Sequence, residues 1–274
     1  MSNKRKFPYG LYYQKECLSV SDRKEVMEWL KTIHPIWEKR FSRYKPLPKG
    51  EEQRTLLRPV YWLGNWQFAC LNYYTPPFGI ENRCVRAEKF PDVLDRLVSK
   101  VESITKARFH PNDIPEKWQL NTCLVNFYGD RIDGEKRIDC ARVGDHRDFE
   151  PGPVASLSFG EKAMFQFVET QSKTKKSTVV LNQWLEDGSL QIFGGNRFKR
   201  QLFHRVQRVE RKRNDNFILN VEGFDVRRVN FTFRYVPVEH FVDYKDLPDD
   251  SKQDIREYIE ELAKNSKFFA ALVK

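Results

Sequence analysis

The sequence predicts an α+β fold in which helices come first, an antiparallel β sandwich or barrel follows, and a helix ends the chain. Two observations support this prediction. Apolar residues recur at helical spacing near both ends of the sequence, whereas from Trp118 onward short β-branched and aromatic segments alternate with glycine-bearing turns. At 274 residues, 40% of them hydrophobic, the chain can bury a substantial core. We expect one domain with three regions: an N-terminal helical and covering region over 1–117, the β core over 118–240 and a C-terminal helix over 241–274.

Three segments carry the helical pattern. In the first, Ser21 or Asp22 could cap the start, and Pro35 is expected to kink or split the helix. In the second, Pro91 suits the first turn of a helix with one apolar stripe. The segments are Ser21–Phe41, Pro91 to about Ala107, and Asp249 to about Leu272.

Short segments of the strand type fill the β core. They are Cys123–Tyr128, Val154–Phe159, Met164–Val168, Ser177–Leu181, Ser189–Phe193, Phe217–Val221 and Val229–Val236. The stretch Arg43–Pro77 ahead of them is rich in aromatic residues and has no clean period. It is either a cover over a binding site or a packed loop.

Charge and cysteine content narrow the class of protein. A net charge of +10 and a pI of about 9.3 favour polyanionic partners, although many basic proteins bind no nucleic acid. The five cysteines are odd in number and lack CxxC spacing, which argues against a zinc site or a disulfide framework. No signal-peptide pattern is apparent, so we expect a cytoplasmic protein, or a nuclear one in a eukaryote.

His146 and Asp148 form a His-x-Asp pair. If their segment is extended, the two-residue period puts both side chains on one face, at a separation that one metal ion can bridge. His204, near an apolar strand-like stretch, offers a third ligand. Two imidazoles and one carboxylate form the facial triad that suits non-haem Fe(II). A His-x-Asp pair alone is a weak signal, because single histidines are more often surface or hydrogen-bonded residues.

Residues 228–234, Arg-Val-Asn-Phe-Thr-Phe-Arg, alternate strictly between polar and apolar side chains. Such a strand is ordinary where its polar face meets water. If that face instead points into a barrel, its two arginines need anionic partners, and no matching acidic strand is apparent. A small dicarboxylate would supply them, because a guanidinium can hold a carboxylate through two parallel hydrogen bonds. Asn126 and Tyr128 repeat the alternation on an earlier strand.

The order of these motifs resembles the AlkB family of Fe(II)/2-oxoglutarate-dependent dioxygenases: Asn-x-Tyr, His-x-Asp, a distant His, then Arg-x-Asn-x-Thr-x-Arg. The segments 153–160, 163–167, 185–189 and 192–195 also match the family pattern. The resemblance covers roughly residues 120–236. It implies a double-stranded β-helix (jelly-roll) core, Fe(II) as cofactor, and 2-oxoglutarate and O2 as cosubstrates.

Position by position, the resemblance implies that His146, Asp148 and His204 hold the iron. It implies that two arginines bind the carboxylates of 2-oxoglutarate with help from neighbouring polar residues, and it leaves open which arginine takes which carboxylate. The residues in question are Arg228, Arg234, Asn126, Tyr128 and Asn230. The stretch before His146 is longer than in bacterial family members, and we expect its charged run 130–142 to form an extended loop near the metal.

The resemblance implies an oxidative dealkylase that removes methyl groups from nucleobases in DNA or RNA, releasing succinate, CO2 and formaldehyde. Such enzymes act on a flipped or single-stranded base held by aromatic stacking and backbone contacts. Trp66, Tyr73 and Tyr74 are candidates for stacking, unless they pack in the core. Glu150 takes the place of an acidic residue near the exocyclic amine of the base, provided that the strand continues past Asp148.

Basic residues cluster in sequence around His204. They form either a solvated loop or a rim that follows phosphates at the mouth of the site. The rim candidates are Arg197, Lys199, Arg200, Arg205, Arg208 and Arg211. We expect a monomer that binds single-stranded or flipped nucleic acid. The alternative is the same iron chemistry on a protein or small molecule, and a non-enzymatic nucleic-acid-binding module would require the triad to be coincidental.

Overall fold

The computed structural model describes residues 8–37, 39–40, 54–55, 58–64, 69–71, 83–85, 87–170, 177–207, 219–240, 246 and 249–273. The helices are α1 (Val20–Leu30), α2 (Asp92–Arg108), α3 (Asp249–Ala263) and α4 (Lys267–Val273), with short helical turns at Pro111–Asp113, Asn196–Gln201 and Val238–His240. The strands are β1 (Leu11–Gln14), β2 (Lys39–Arg40), β3 (Arg54–Thr55), β4 (Val60–Gly64), β5 (Ala69–Leu71), β6 (Arg83–Val85), β7 (Thr122–Asp133), β8 (Lys136–Asp139), β9 (Val143–His146), β10 (Val154–Gly160), β11 (Ala163–Thr170), β12 (Ser177–Leu185), β13 (Leu190–Phe193), β14 (Phe203–Gln207), β15 (Asn220–Val221) and β16 (Phe224–Arg234).

Two antiparallel sheets form the core. The larger sheet has the strand order β1-β13-β10-β16-β7-β4, with β15 paired to β16 and β8 paired to β7. The smaller sheet has the order β12-β11-β14-β9. This confirms the predicted α+β class with a double-stranded β-helix core. The N-terminal region contributes β1 and β4 to the two ends of the larger sheet's path, so it is joined to the core by backbone hydrogen bonds as well as by packing.

The strict alternation of β16 separates two environments. Val229, Phe231 and Phe233 are buried on the face that packs against the helical layer, where Trp29 of α1 lies 6.1 Å from Phe231 between ring centroids. The polar side chains of β16 therefore lie on the opposite face, and the last of them, Arg234, reaches Asp148, which follows β9 of the smaller sheet. β16 is therefore buried or half-buried on both sides, although its alternating sequence is typical of a strand with one face open to water.

The first helix is shorter than the sequence predicts. Ser19 caps α1, its Oγ accepting a hydrogen bond from the Asp22 N–H at 3.0 Å, so the expected cap at Ser21 or Asp22 is wrong. The helix ends at Leu30 instead of continuing to residue 41. Pro35 lacks an N–H and disfavours a helical residue before it. Beyond it the chain is extended, and Ile36 exchanges backbone hydrogen bonds with Val60 at 3.0 and 2.9 Å.

The other predicted helices are present with small changes. Pro91 precedes α2 as its cap residue and is not within its first turn. The single helix expected over 249–272 is divided into α3 and α4. Ser266 lies at the break: its N–H donates to the Leu262 carbonyl at 2.9 Å, and its Oγ accepts from the Phe269 N–H at 3.5 Å. The Phe269 side chain is fully buried, with its ring edge-to-face to Tyr61 of β4 at 6.2 Å.

The charged run 130–142 is largely a β-hairpin rather than the extended loop we expected. β7 continues past the core and pairs with β8 from Asp130↔Asp139 to Asp133↔Lys136. A β-bulge in β16 at Arg227 lies at the base of this hairpin. Gly129 allows the two backbones to come together there, because a Cβ at this position would lie 1.9 Å from the Asp225 carbonyl oxygen.

In the part of the chain that the structure describes, no helix combines the length and apolar character that a membrane span requires.

Candidate metal and cosubstrate site

The three predicted metal ligands converge at the edge of the smaller sheet. His146 is the last residue of β9 and lies directly opposite His204 of β14, with ring centroids 4.2 Å apart. Asp148 follows two residues beyond the strand. One ligand atom from each of the three side chains lies within 4.8 Å of the others. Two imidazoles and a carboxylate at this spacing are the donor set of a non-haem Fe(II) site.

The hydrogen bonds of the histidines leave ligand atoms available. His146 Nδ1 donates to the Gly144 carbonyl oxygen at 2.8 Å, which leaves the lone pair on Nε2. Metal-binding histidines commonly make such a bond, because it fixes the ring and its tautomer. His204 Nε2 lies 3.3 Å from Asp148 Oδ2, and its buried Nδ1 has no hydrogen-bond partner among the described residues. The residues present therefore fit a divalent metal ion.

The protonation states also suit metal binding. Burial, followed by the neighbouring His204, lowers the pKa of His146 from 6.5 to about 3, so its imidazole is neutral at physiological pH. Burial acts to raise the pKa of Asp148, but the Arg234 guanidinium and the hydrogen bond with His204 hold that pKa well below its usual range. A neutral imidazole and an ionised carboxylate are the forms that bind a metal.

Arg234 lies beside this cluster. Its Nε and Nη2 donate to Asp148 Oδ1 at 2.9 and 2.7 Å. Glu150 also approaches, with Oε2 3.5 Å from Arg234 Nε. β9 ends at His146, so the strand does not continue to Glu150 as the sequence argument required, yet the carboxylate of Glu150 still lies near the cluster. Arg234 is thus neutralised by two carboxylates.

Arg228 is the contrasting case on the same face of β16. Its side chain is 3% exposed, and Nη2 donates to Ser158 Oγ at 3.0 Å. In the described part of the chain, its Nε and Nη1 have no hydrogen-bond partner and no carboxylate lies within ion-pair distance. Burial lowers the pKa of this guanidinium, and the hydrogen bond with Tyr128 acts against that shift. A buried cation with two donors that lack acceptors lowers the stability of the protein unless it binds an anion.

The other predicted 2-oxoglutarate residues lie on β7 and β16, close to Arg228. The pairing of β7 with β16 places Tyr128 opposite Arg228 and Asn126 opposite Asn230. The guanidinium carbon of Arg228 lies 4.8 Å from the centroid of the Tyr128 ring. Asn230 has polar contacts within the sheet: its Nδ2 lies within 3.2 Å of Ser156 Oγ, Leu157 O and Ser158 Oγ. Its role as a 2-oxoglutarate ligand stays a prediction.

The predicted rim is divided by the structure. Arg197 and Arg200 are exposed on the helical turn before His204. Lys199 is not a rim residue: it is 9% exposed, and its Nζ donates to the Asp148 carbonyl oxygen at 2.8 Å. The π-type turn explains the difference, because it directs one side chain of the basic run inward. Arg205 is half-buried and donates to Gln166 Oε1 at 2.7 Å.

The remaining site predictions lie outside the described residues. These are the stacking candidates Trp66, Tyr73 and Tyr74, and the rim candidates Arg208 and Arg211.

Several residues at the site were missed by the sequence argument. Ser156 and Ser158 of β10 hold Asn230 and Arg228, and their alternation with apolar neighbours in Val-Ala-Ser-Leu-Ser-Phe-Gly is a signal that could have identified them. Arg58, just before β4, contacts Asn126, and no sequence pattern marks it.

Comparison with known proteins gives a family match and, among the solved structures, the two described below. The sequence model of the 2OG-Fe(II) oxygenase superfamily matches residues 10–234. A solved structure described as "The structure of OsALKBH1" is similar with a TM-score of 0.51 and 22% identity, over 84% of this chain and 100% of that one, which shows a shared fold. YcfD, a ribosomal oxygenase from Escherichia coli solved with cobalt and succinic acid, has a TM-score of 0.33 and 9% identity, over 95% of this chain and 65% of that one. No curated protein sequence matches the chain.

Proposed function

This chain belongs to the 2OG-Fe(II) oxygenase superfamily, and on that premise we propose that it oxidatively removes methyl groups from nucleobases in DNA or RNA. The superfamily uses Fe(II), 2-oxoglutarate and O2. When bound, they supply the oxidising power that hydroxylates a C–H bond while 2-oxoglutarate becomes succinate and CO2; at an N-linked methyl group the product releases formaldehyde. The proposal rests above all on one observation: ligand atoms of His146, Asp148 and His204 converge within 4.8 Å beside a strand with the AlkB-like Arg-x-Asn-x-Thr-x-Arg motif.

In this proposal His146, Asp148 and His204 hold the iron. The supporting facts are the neutral imidazole of His146, the ionised Asp148 and the bond that fixes the His146 ring. His204 packs among aromatic rings, with Phe193 at 5.0 Å and Phe165 at 5.3 Å between centroids. These rings limit the access of water to one side of the cluster and restrict the orientation of the imidazole.

We assign the two arginines to different ends of 2-oxoglutarate. If the 2-oxo acid end of the molecule faced the metal, the carboxylate at that end would lie nearer to the three metal-binding side chains than the distal carboxylate would. Arg234 already contacts the ligand Asp148 and is suited to this end. Arg228 lies six residues earlier on the strand, next to Tyr128 and Ser158, and its idle Nε and Nη1 suit the distal carboxylate. A bidentate pair there would neutralise the buried guanidinium.

Glu150 is the group we propose for recognition of the base. Its carboxylate lies near the metal cluster and can accept a hydrogen bond from an exocyclic amine. The exposed Arg197 and Arg200, on the turn leading to His204, are suited to backbone phosphates. The substrate in this proposal is a single-stranded or flipped base, because a methyl group inside a duplex cannot reach a buried metal.

The test is turnover with a defined methylated oligonucleotide. Protein given Fe(II), 2-oxoglutarate and air is incubated with single-stranded DNA or RNA carrying N1-methyladenine or N3-methylcytosine, and succinate, formaldehyde and the restored base are measured together. We expect all three products in step, and none from a His146→Ala variant. Glu150→Gln should lower base restoration while background succinate formation persists. Succinate without base restoration in any oligonucleotide would reject the nucleobase substrate and direct the search to proteins and metabolites.

A further inference from the structure

Arg58 touches both polar residues of the Asn-x-Tyr motif. Its Nε donates to Asn126 Oδ1 at 3.0 Å, and its guanidinium carbon lies 5.1 Å from the centroid of the Tyr128 ring. Both partners are buried, whereas Arg58 is half-buried. One side chain from the N-terminal region therefore reaches the strand that faces Arg228.

The backbone explains why Arg58 lies there. β4 pairs with β7, and Val60 is opposite Asn126. One residue earlier, the Phe127 N–H donates to the Pro59 carbonyl oxygen at 3.1 Å, so the pairing extends to the residue that follows Arg58. Pro59 has a fixed φ and favours an extended conformation at Arg58. The arginine is thereby held beside the polar face of β7.

The chemistry of the guanidinium group determines how the Asn126 amide is turned. Arginine has donors only, so Asn126 must direct its Oδ1 toward Arg58 and its Nδ2 away. Nδ2 has only a long contact, 3.4 Å, with the Leu124 carbonyl oxygen. Without Arg58 the amide could rotate by half a turn and present its oxygen, which repels a carboxylate.

The positive charges of Arg58 and Arg228 favour the binding of an anion near Tyr128. Among the described residues, Arg58 and Arg228 have no carboxylate within ion-pair distance, whereas Arg227 has three and Arg234 has two. Burial lowers the pKa of Arg228, and the positive charge of Arg58 acts in the same direction. Both guanidinium groups lie within about 5 Å of the Tyr128 ring.

We infer that Arg58 is a positioning residue for 2-oxoglutarate: it orients the Asn126 amide so that Nδ2 is presented to the cosubstrate. The inference rests on the proposed function, because it takes Asn126 and Tyr128 as 2-oxoglutarate ligands. It also connects the N-terminal region to cosubstrate binding, since Arg58 belongs to that region and its partners belong to the core.

The experiment measures 2-oxoglutarate binding to the full chain loaded with Fe(II) under argon, by calorimetry, together with KM and kcat under air. We expect Arg58→Met to weaken 2-oxoglutarate binding by about tenfold, the loss typical of one charge-assisted hydrogen bond. The kcat at saturating 2-oxoglutarate should stay within about twofold, because the metal ligands are untouched. Arg58→Lys keeps the charge without the planar donor and should recover only part of the affinity; it also serves if Arg58→Met fails to fold.

A double-mutant cycle separates positioning from direct binding. If Arg58 acts through Asn126, the pair Arg58→Met and Asn126→Ala binds 2-oxoglutarate no more weakly than Asn126→Ala alone. Losses that multiply in the double variant, or unchanged binding in Arg58→Met, would overturn the inference. Arg108→Met is the matched control, because Arg108 also lies over a tyrosine ring, that of Tyr12 at 5.6 Å, but on the exposed end of α2. Absence of 2-oxoglutarate binding by the unmodified protein would instead reject the proposed function.

Discussion

His146 and His204 lie directly opposite each other on neighbouring strands, with ring centroids 4.2 Å apart and Asp148 3.3 Å from His204. Two imidazolium cations this close would repel each other, so the site favours the neutral imidazole, which is the form that binds metals. This relationship makes the stability of the metal-free protein dependent on pH.

We expect acid to destabilise the metal-free protein through His146. The pKa of this histidine is near 6.5 in an unfolded chain and about 3 in the folded one, chiefly because of burial and then His204. Between these values the unfolded chain binds a proton that the folded chain does not, so stability is lost as the pH falls from about 6.5 toward 3. The slope from one proton is at most about 1.4 kcal/mol per pH unit. The free energy of unfolding can be measured with urea at several pH values in the presence of a chelator. Its dependence on pH should be weaker in His146→Gln than in the unmodified protein. It should be unchanged in His34→Gln, because His34 is exposed to solvent.

Removal of the Asp148 carboxylate should destabilise the metal-free protein as well as abolish iron binding. Asp148→Ala removes the carboxylate that lies 2.7 Å from Arg234 Nη2, and loss of one partner of a buried ion pair costs about 3 kcal/mol or more. Asp148→Ala combined with Arg234→Met should recover most of this stability without recovering iron. Equal stability of Asp148→Ala and the unmodified protein in chemical unfolding would contradict the account of Arg234.

We expect Arg228 to lower the stability of the cosubstrate-free protein and to strengthen 2-oxoglutarate binding. Because Arg228 is buried with two idle nitrogen donors, Arg228→Met should leave the cosubstrate-free protein as stable or more stable by about 1 kcal/mol. The same change should weaken 2-oxoglutarate binding on the order of 10- to 100-fold. In the unmodified protein, 2-oxoglutarate at about 100 times its Kd should add about 2.7 kcal/mol of stability, and Arg228→Met should lose this gain. A clear loss of stability in Arg228→Met without ligand would count against the assignment.

Arg227 should be a structural residue despite its position next to Arg228. It lies on the bulge of β16 and is buried between Asp130, Asp139 and Glu161 at 3.1 to 3.5 Å. Arg227→Met leaves acidic groups close together without their shared cation, which we expect to cost about 3–5 kcal/mol.

The local effect of that change should appear in hydrogen exchange. The amides of the β7–β8 hairpin, residues 130–139, should exchange faster in Arg227→Met than in Arg131→Met, where the lost side chain is exposed and the expected cost is within about 0.5 kcal/mol. Unchanged protection of the hairpin in Arg227→Met would show that the ion cluster does not hold it.

The β core was predictable because strands with one polar and one apolar face show a clear alternation of polar and apolar residues in the sequence. The period of two in 228–234 predicted both faces of β16, and the His-x-Asp pair together with His204 indicated three candidate metal ligands that the structure brings together. The end of α1 was not predictable from spacing, because the tertiary contacts that bury Ile36 and partly bury Trp37 can be made equally well by an extended chain. Trp37 packs edge-to-face on Phe224 at 5.4 Å, and Ile36 pairs with Val60.

Side-chain direction was the other unpredictable element. Lys199 belongs to a run of basic residues that the sequence predicts to be exposed. The turn before His204 directs its side chain to Asp148 instead. Arg227 and Arg228 are adjacent and chemically identical, yet the bulge at Arg227 gives this residue three carboxylates, whereas Arg228 has none within ion-pair distance among the described residues. Local sequence carries no record of such a bulge, because it depends on the partner strand.

The pairing of β1 with β13 has a consequence for synthesis of the chain. Leu11 is opposite Phe193, so a strand made early acquires its partner only after about 180 further residues have been translated. The larger sheet therefore cannot close along this edge until most of the chain has emerged from the ribosome. Until then the hydrogen-bonding groups and apolar residues of β1 remain open to other chains, which exposes the nascent chain to aggregation.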